Sequence, residues 1–442
     1  MPQLFGTDGV RGVAGIFPLD RDTVTRLAAA LARFLLLRKA PVRIILAGDT
    51  RASTTTLARW FAGSFIRSSG DVVWAGVLPT PGVSHLLRAR SGFGAGVVIS
   101  ASHNPASDNG IKILGGSGQK LSSVEEEELE ALMNTLQAGS GEALPPESSE
   151  LRREYVEILK ATLPPGALGG LSLVVDAANG AASPVAGEFF SALGAKTHLL
   201  HTYPDGTNIN RRCGALYPED LVAAVRNIQA DAGLALDGDG DRAVLVTQTG
   251  RVLNGDDLLL LWARNLARAG KLPNGTVVAT VMSNVALDMV LRREGMRLVR
   301  CPVGDREVWE TMSREGASLG GEQSGHVICA HYSVTGDGLL TAAHILAQGV
   351  EEGQSLEARA DLKPFPQVLL AVKVREKRPL ADVPELLGTV RECEELLAGM
   401  GRVVVRYSGT EMLLRIMVEA QERKEASQLA QKIARAAERL LV

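Results

Sequence analysis

Cysteine is scarce in this 442-residue chain. The four present, Cys213, Cys301, Cys329 and Cys393, lie far apart and form no CxxC pair. That spacing argues against a disulfide framework, and the expectation is four single buried thiols in a reducing compartment. Aromatic residues are few, at 4%, which argues against the stacking platforms that hold single-stranded nucleic acid. Neither sign of charge dominates: 47 Lys and Arg stand against 50 Asp and Glu, a net charge of -3. Such a balance offers no field for nucleic acid or an anionic membrane. Long hydrophobic runs are missing too. The greasiest stretch, Leu27 to Leu37, is broken by Arg33 and is too short to cross a bilayer. Asp8 and Arg11 stand where a signal peptide would need an apolar core, so a cytoplasmic protein with no membrane or nucleic-acid partner is expected. Several cofactor motifs are absent as well. There is no P-loop, and the seven histidines show no HExxH or paired-ligand spacing. Gly92, Gly94 and Gly96 lack dinucleotide-site spacing and precede a strand instead of following one.

What is present is a globular composition, 45% hydrophobic, long enough for about three domains at roughly 150 residues each. Short β-branched runs alternate with amphipathic stretches. VRIILA (Val42–Ala47), GVVISA (Gly96–Ala101), LSLVVDA (Leu171–Ala177), AGLALD (Ala232–Asp237) and TVVATV (Thr276–Val281) predict strands, and Ser53 to Ser68 predicts a helix. Strands alternating with helices imply α/β units with mixed, largely parallel sheets. The Gly-, Pro- and Ser-rich stretch Gly139–Glu150 and the break Leu362–Pro366 mark boundaries. A new helical block is expected from Arg251–Asp256. After residue 363 the pattern becomes a smaller α+β unit. The expected division is 1–150, 151–250, 251–363 and 364–442. Similar patterning in the first three blocks does not by itself establish repetition.

Five segments carry chemistry. Ser100-Ala101-Ser102-His103-Asn104-Pro105, with Asp108-Asn109-Gly110-Ile111-Lys112 behind it, reads as a polar loop beyond a strand's carboxyl end, where open α/β sheets bind ligands. A serine there can be a nucleophile if a cation offsets its developing charge; an ordinary turn punctuated by Asn104-Pro105 reads equally well. Asp237-Gly238-Asp239-Gly240-Asp241-Arg242 puts three carboxylates at alternate positions with glycines between. These are hard oxygen ligands suited to Mg²⁺, and they repel one another unless a cation joins them. An EF-hand is excluded by Arg242 and Gln248 where that loop needs Gly and Glu. Gly320–His326, GGEQSGH, can hydrogen-bond several sugar hydroxyls or be a generic loop. Arg406-Tyr407-Ser408-Gly409-Thr410-Glu411, with Arg415 following, reads as a phosphate cradle, a β-turn, or both. Phe5–Gly12, FGTDGVRG, suggests a tight loop presenting a cation, Arg11.

These five segments, in this order from residue 5 to about residue 418, resemble the signature blocks of the α-D-phosphohexomutases. The resemblance implies three α/β domains and a smaller α+β domain around a central cleft. It implies that Ser102 is a phosphoserine, that Asp237, Asp239 and Asp241 hold one Mg²⁺ together with a phosphate oxygen on Ser102, and that Arg11, His103, Lys112 and Arg242 line the reacting end. Glu322, Ser324 and His326 would bind the sugar, and Arg406, Ser408, Gly409, Thr410 and Arg415 the phosphate that is not transferred. The form of the blocks, with Val303-Gly304-Asp305-Arg306, is most similar to members acting on glucosamine phosphates. That similarity implies exchange of a phosphoryl group between O6 and O1, with a hexose 1,6-bisphosphate as intermediate and activator, ahead of UDP-N-acetylglucosamine and cell-wall precursor synthesis. A hexosamine phosphate would be the only partner, bound by a monomer or homodimer. Members acting on mannose or glucose phosphates are the near alternative. A metal-dependent sugar-phosphate phosphatase and a non-catalytic sensor are the alternatives of other classes. Three positions depart from the family pattern: Gly48 where a basic residue is usual, Glu307 where an aromatic is usual, and Met412 where proline is usual.

Overall fold

The computed structural model describes residues 4–6, 8–137, 139, 141–408 and 412–442. Its first sheet is built from β1 (Val10–Val13), β2 (Arg43–Gly48), β3 (Asp71–Val77), β4 (Ala95–Ile99) and β5 (Asp108–Gly115), in the order β1-β5-β4-β2-β3. The second comprises β6 (Ser172–Asp176), β7 (Lys196–Leu200), β8 (Ala232–Leu236), β9 (Ala243–Thr247) and β10 (Val252–Leu253), ordered β10-β9-β8-β6-β7. The third comprises β11 (Thr276–Thr280), β12 (Arg297–Cys301), β13 (Leu319–Gly321) and β14 (Val327–Cys329), ordered β12-β11-β13-β14. Strands β2, β4, β6, β8, β9 and β11 are buried almost end to end, which is why they read in the sequence as continuous apolar runs.

One plan is used three times. In each sheet a central strand pairs in parallel with the next strand on one side and with the one after that on the other; a fourth strand then returns antiparallel. The repetition that patterning could not establish is therefore present in the topology. Parallel pairs need helical crossovers, whereas the antiparallel return needs only a short loop. That loop follows the carboxyl end of the third strand in every copy. The three loops are residues 100–107, 237–242 and 322–326.

Two expectations are corrected. Residues 251–256 do not simply open a helix, because Val252–Leu253 pairs with β9 and closes the second sheet before the helix Gly255–Arg268 starts. Asn254 caps that helix, with Asp257 completing a capping box. Arg11 and Lys112, expected on loops, lie on strands: β1 pairs antiparallel with β5, setting Arg11 opposite Gly110. Their segments are rich in Gly, Asp and Asn, which strands normally disfavour, so composition concealed them.

One continuous apolar core runs through the first three units, joining Ile45 and Leu86 to Phe189 and Leu234 and on to Trp262 and Leu340. It fixes those units relative to one another. The fourth sheet, β15 (Gln367–Lys373), β16 (Gly401–Tyr407) and β17 (Leu413–Ala420), is antiparallel in the order β15-β17-β16. Its core is its own, with Leu386, Ile416 and Ile433 at the centre. Buried Glu419 ties this unit to the third: it pairs with Arg402 at 2.8 Å and accepts from the Val285 amide at 3.0 Å. Among the described residues no helix is long and apolar enough to cross a membrane.

Candidate active site

Ser102 sits in the loop after β4 with φ 51°, in the left-handed region. A non-glycine residue there costs on the order of 1–2 kcal/mol and persists only where its surroundings impose it. The imposing partner is Arg51, whose side chain is fully buried. It pairs with Asp49 at 2.9 Å, donates to the carbonyls of Ser102 and Asn104 at 2.9 Å each, and also reaches the Pro105 carbonyl. Asn210 donates to the same Ser102 and Asn104 carbonyls at 2.8 and 3.0 Å. Below them Ser100 Oγ donates to Asp49 at 2.6 Å and accepts from the Ser102 amide at 3.0 Å. The loop is thus gripped from two sheets. Replacing Arg51 with lysine keeps the charge and loses the fork that spans three carbonyls. The expected result is a fall in kcat of about 10²-fold, the scale of a displaced reacting group, with KM and the far-UV circular dichroism little changed. A matching rise in KM would remove the positioning role.

The acidic loop meets this serine. Ser102 Oγ donates to Asp237 Oδ2 at 2.5 Å and lies 3.3 Å from His103 Nδ1. Such an approach needs a glycine at 238: a Cβ there would stand 2.5 Å from the Ser102 carbonyl oxygen. Asp237, Asp239 and Asp241 are all buried, and an oxygen from each lies within 4.8 Å of the others. Asp239 Oδ1 and Asp241 Oδ1 are buried with no hydrogen-bond partner. Three hard, anionic, inward-facing oxygens with unused lone pairs fit a divalent cation of the Mg²⁺ type. Without one, burial, then the charges of Asp241 and Asp239, push the Asp237 carboxyl well above its ordinary range.

Cations already in the chain partly offset this charge. Lys112 Nζ is 2.8 Å from Asp239, 2.9 Å from Asp8 and 3.7 Å from Asp241. Burial alone would lower its pKa, but the three carboxylates outweigh burial and hold it well above normal. Thr80 Oγ1 donates to Asp239 at 2.5 Å. Asp8 also pairs with Arg11 and Lys120, and Lys120 reaches Asp305 at 2.5 Å. His103 is the opposite case. Burial, then Arg242 and Arg11, bring it down to about 4, which leaves a neutral imidazole at pH 7 beside Ser102. Burial lowers and Asp241 raises the pKa of His326, with a net rise; its Nδ1 lies 3.5 Å from Asp241 while Nε2 accepts from the Gly336 amide at 3.0 Å.

The third loop is stitched to the second by an antiparallel bridge between Arg242 and His326. Together the three units enclose a cleft of about 780 Å³ lined by Asp8, Arg11, His103, Asp241, Arg242, Asp305, Arg306, Glu322 and His326, among others. Glu322 accepts from the Gly304 amide at 3.1 Å, and Arg306 pairs with Glu126 at 2.6 Å across the cleft wall.

The structure therefore gathers Ser102, His103, Lys112, Arg11, the three aspartates, Arg242, Glu322 and His326 at one place. Ser324 stands exposed on its loop, outside the cleft lining. The fourth unit contributes no lining residue among those described. There Arg406 and Arg415 face each other across β16 and β17. Burial, then Arg415, lowers the Arg406 pKa, an arrangement an anion would relieve. Ser408 is buried beside them; Gly409 and Thr410 lie outside the described residues. Sequence reasoning missed Arg51, Asp49, Thr80 and Asn210. Of these only Arg51 and Asp49 gave a signal, as part of the segment around Gly48. That glycine has a steric reason: a Cβ there would meet Thr54 Cγ2 at 2.3 Å. Glu307 falls in the first turn of the helix Asp305–Glu315, where an acidic residue suits the helix dipole. Met412 is exposed.

Family models of phosphoglucomutase/phosphomannomutase match four consecutive stretches. Its α/β/α domains I, II and III cover residues 2–139, 153–250 and 254–365, and its C-terminal domain covers 369–436. The phosphoglucosamine mutase of Solibacter usitatus (strain Ellin6076) is 46% identical over 437 residues, covering 98% of this chain and 97% of that protein. That of Koribacter versatilis (strain Ellin345) is 43% identical over 446 residues, covering 98% and 96%. A crystal structure of a phosphoglucomutase/phosphomannomutase family protein from Burkholderia thailandensis superposes with a TM-score of 0.82 at 25% identity, covering 99% of this chain and 97% of that one.

Proposed function

From its membership of the phosphoglucomutase/phosphomannomutase family, to which the chain belongs along nearly its whole length, we propose that it is an isomerase acting as its phosphoglucosamine mutase relatives are named for. It interconverts glucosamine 6-phosphate and glucosamine 1-phosphate, a step ahead of UDP-N-acetylglucosamine and cell-wall precursor synthesis. The observation that supports this chemistry is the 2.5 Å contact between Ser102 Oγ and Asp237, a hydroxyl set against carboxylates suited to a cation. Ser102, phosphorylated, gives its phosphoryl group to the substrate hydroxyl and later takes back the phosphate from the other end of the 1,6-bisphosphate. The same bisphosphate, added from outside, would recharge a serine that has lost its phosphate and so act as activator.

A divalent cation such as Mg²⁺, held by Asp237, Asp239 and Asp241, would neutralise the charge on the phosphoserine and on the transferring oxygens. The chain's own residues do the rest. His103, neutral at pH 7 and next to Ser102 Oγ, accepts the proton of the attacking hydroxyl, and a dianionic phosphate nearby makes it a stronger base. Lys112, charged in this setting, balances Asp8 and Asp239. Arg11 and Arg242 face the transferring phosphoryl group, and Glu322 and His326 hold the sugar. Arg406, Ser408, Gly409, Thr410 and Arg415 hold the distal phosphate, which requires the fourth unit to swing over the cleft. Its separate core permits that motion, and closure excludes water that would hydrolyse the phosphoserine. A cytoplasmic site of action belongs to this reading and fits four unpaired cysteines.

The test is a coupled assay with Mg²⁺ and a trace of hexose 1,6-bisphosphate, comparing glucosamine, glucose and mannose 6-phosphates. A kcat/KM for the glucosamine substrate at least about tenfold above the others, ~1.4 kcal/mol of discrimination, is expected. Preference for mannose or glucose phosphate would overturn the substrate, and release of inorganic phosphate without isomerised sugar would overturn the mutase.

A further inference from the structure

A second group of metal-ligating side chains lies behind the serine loop, in the second unit. Asp176 is the last residue of β6, His201 directly follows β7, and Cys213 precedes the short turn Gly214–Leu216. One atom from each, a carboxylate oxygen, a ring nitrogen and the thiol sulfur, lies within 4.8 Å of the others. Asp176 and Cys213 are buried and His201 is about a quarter exposed, at 26%. We propose that Asp176, His201 and Cys213 form a binding site for a thiophilic divalent cation such as Zn²⁺, distinct from the aspartate triad and independent of the mutase reading.

A structural latch accounts for part of the cluster. Asp176 accepts from the Ala178 amide at 2.8 Å and the Gly214 amide at 2.9 Å, and its remaining lone pairs are still available. The other two side chains have partners of their own: Cys213 Sγ accepts from Asn179 Nδ2 at 4.0 Å, and His201 stands between two carboxylates, of which Asp176 does most to raise its pKa. His201 Nδ1 is buried and makes no hydrogen bond of normal geometry, although it lies 3.0 Å from Asp176 Oδ2. The outer nitrogen, Nε2, lies 3.4 Å from the Asp220 carboxylate, the orienting partner that metal-bound histidines commonly have. Sulfur, nitrogen and oxygen together select zinc-like ions over Mg²⁺, with water in the fourth place on the exposed side. Burial, then the Asp176 and Asp220 charges, raises the thiol to about 12, so the empty site holds a protonated sulfur. Binding exchanges that proton, and any carried by the ligating nitrogen of His201, for the cation, so uptake releases protons.

The site has a mechanical connection to the chemistry. Asn210, which holds the Ser102 and Asn104 carbonyls, lies on the chain between His201 and Cys213. His201, Asn210 and Arg212 all adopt positive φ on this stretch, so a cation would clamp a strained segment whose other face grips the catalytic loop.

The probe is Co²⁺, titrated into the full-length protein with Mg²⁺ in large excess to occupy the aspartate triad. A near-ultraviolet thiolate-to-cobalt band saturating at one equivalent, competed away by Zn²⁺, is expected. Cys213→Ser should abolish the band and Cys301→Ser should leave it. His201→Gln, at a partly exposed position, should weaken Co²⁺ at least about tenfold and carries the test if Cys213→Ser does not fold. No band in the wild-type protein, or one unchanged in the folded Cys213 or His201 variant, overturns the site.

Discussion

Alanine at position 102 is expected to abolish isomerisation, to below about 10⁻⁴ of the wild-type rate, the scale seen when a nucleophile is removed. Only the hydroxyl is lost. The left-handed backbone at 102 is imposed by Arg51 and Asn210 through main-chain carbonyls, so alanine inherits the same loop. The variant should keep the wild-type melting temperature within a few degrees and should fail to take up label from a ³²P-hexose 1,6-bisphosphate. Residual turnover above about one per cent, or undiminished labelling, would sink the phosphoserine chemistry. Loss of activity together with loss of folding would show that the side chain matters for packing instead, which its buried position makes a necessary control.

Asparagine at 237 is expected to divide activity from stability. Its carboxylate faces Asp239 and Asp241 in a buried setting and is held well above its ordinary pKa. A carboxyl whose folded pKa is raised stays neutral in the native state while the unfolded chain ionises. Stability is therefore lost as pH rises from the unfolded value near 4 towards the raised folded one. The cation-free protein should melt at lower temperature at pH 8 than at pH 5. The difference between wild type and Asp237→Asn isolates the Asp237 part. At pH 8 with chelator the variant should melt a few degrees higher. Added Mg²⁺ should raise the wild type strongly and the variant weakly, while the variant's kcat falls roughly 10³-fold, several kcal/mol of lost transition-state stabilisation. A variant less stable than wild type without metal, or equally responsive to Mg²⁺, would show that these carboxylates do not share a cation.

Much of this was legible in the sequence, for a local reason. Serine and histidine at 102 and 103, and the three aspartates at 237, 239 and 241, each lie within a few residues on one loop, so spacing alone groups them. Strands such as β2, β4 and β8 were legible because burial on both faces makes them continuous apolar runs. What was not legible is long-range. Arg51 reaches a loop 51 residues away, Asn210 reaches back 108, and Thr80 meets Asp239 across 159; no local pattern encodes such meetings. The strands carrying Arg11 and Lys112 were hidden by their glycines and acids, because pairing, not propensity, makes them strands. Ser324 shows the converse: a legible motif placed its hydroxyl on the right loop but not in the cleft lining.

The recurrence of one strand order in three consecutive units has a consequence for how such a protein can fail. Each copy puts its third-strand turn to a different use. On the proposed function the first would supply the nucleophile, the second the anionic cage and the third the contacts to the ligand. On that reading no unit is competent alone. A break in the chain between units, or a lesion in the apolar core that joins them, should therefore silence the whole assembly at once instead of leaving a partial enzyme behind.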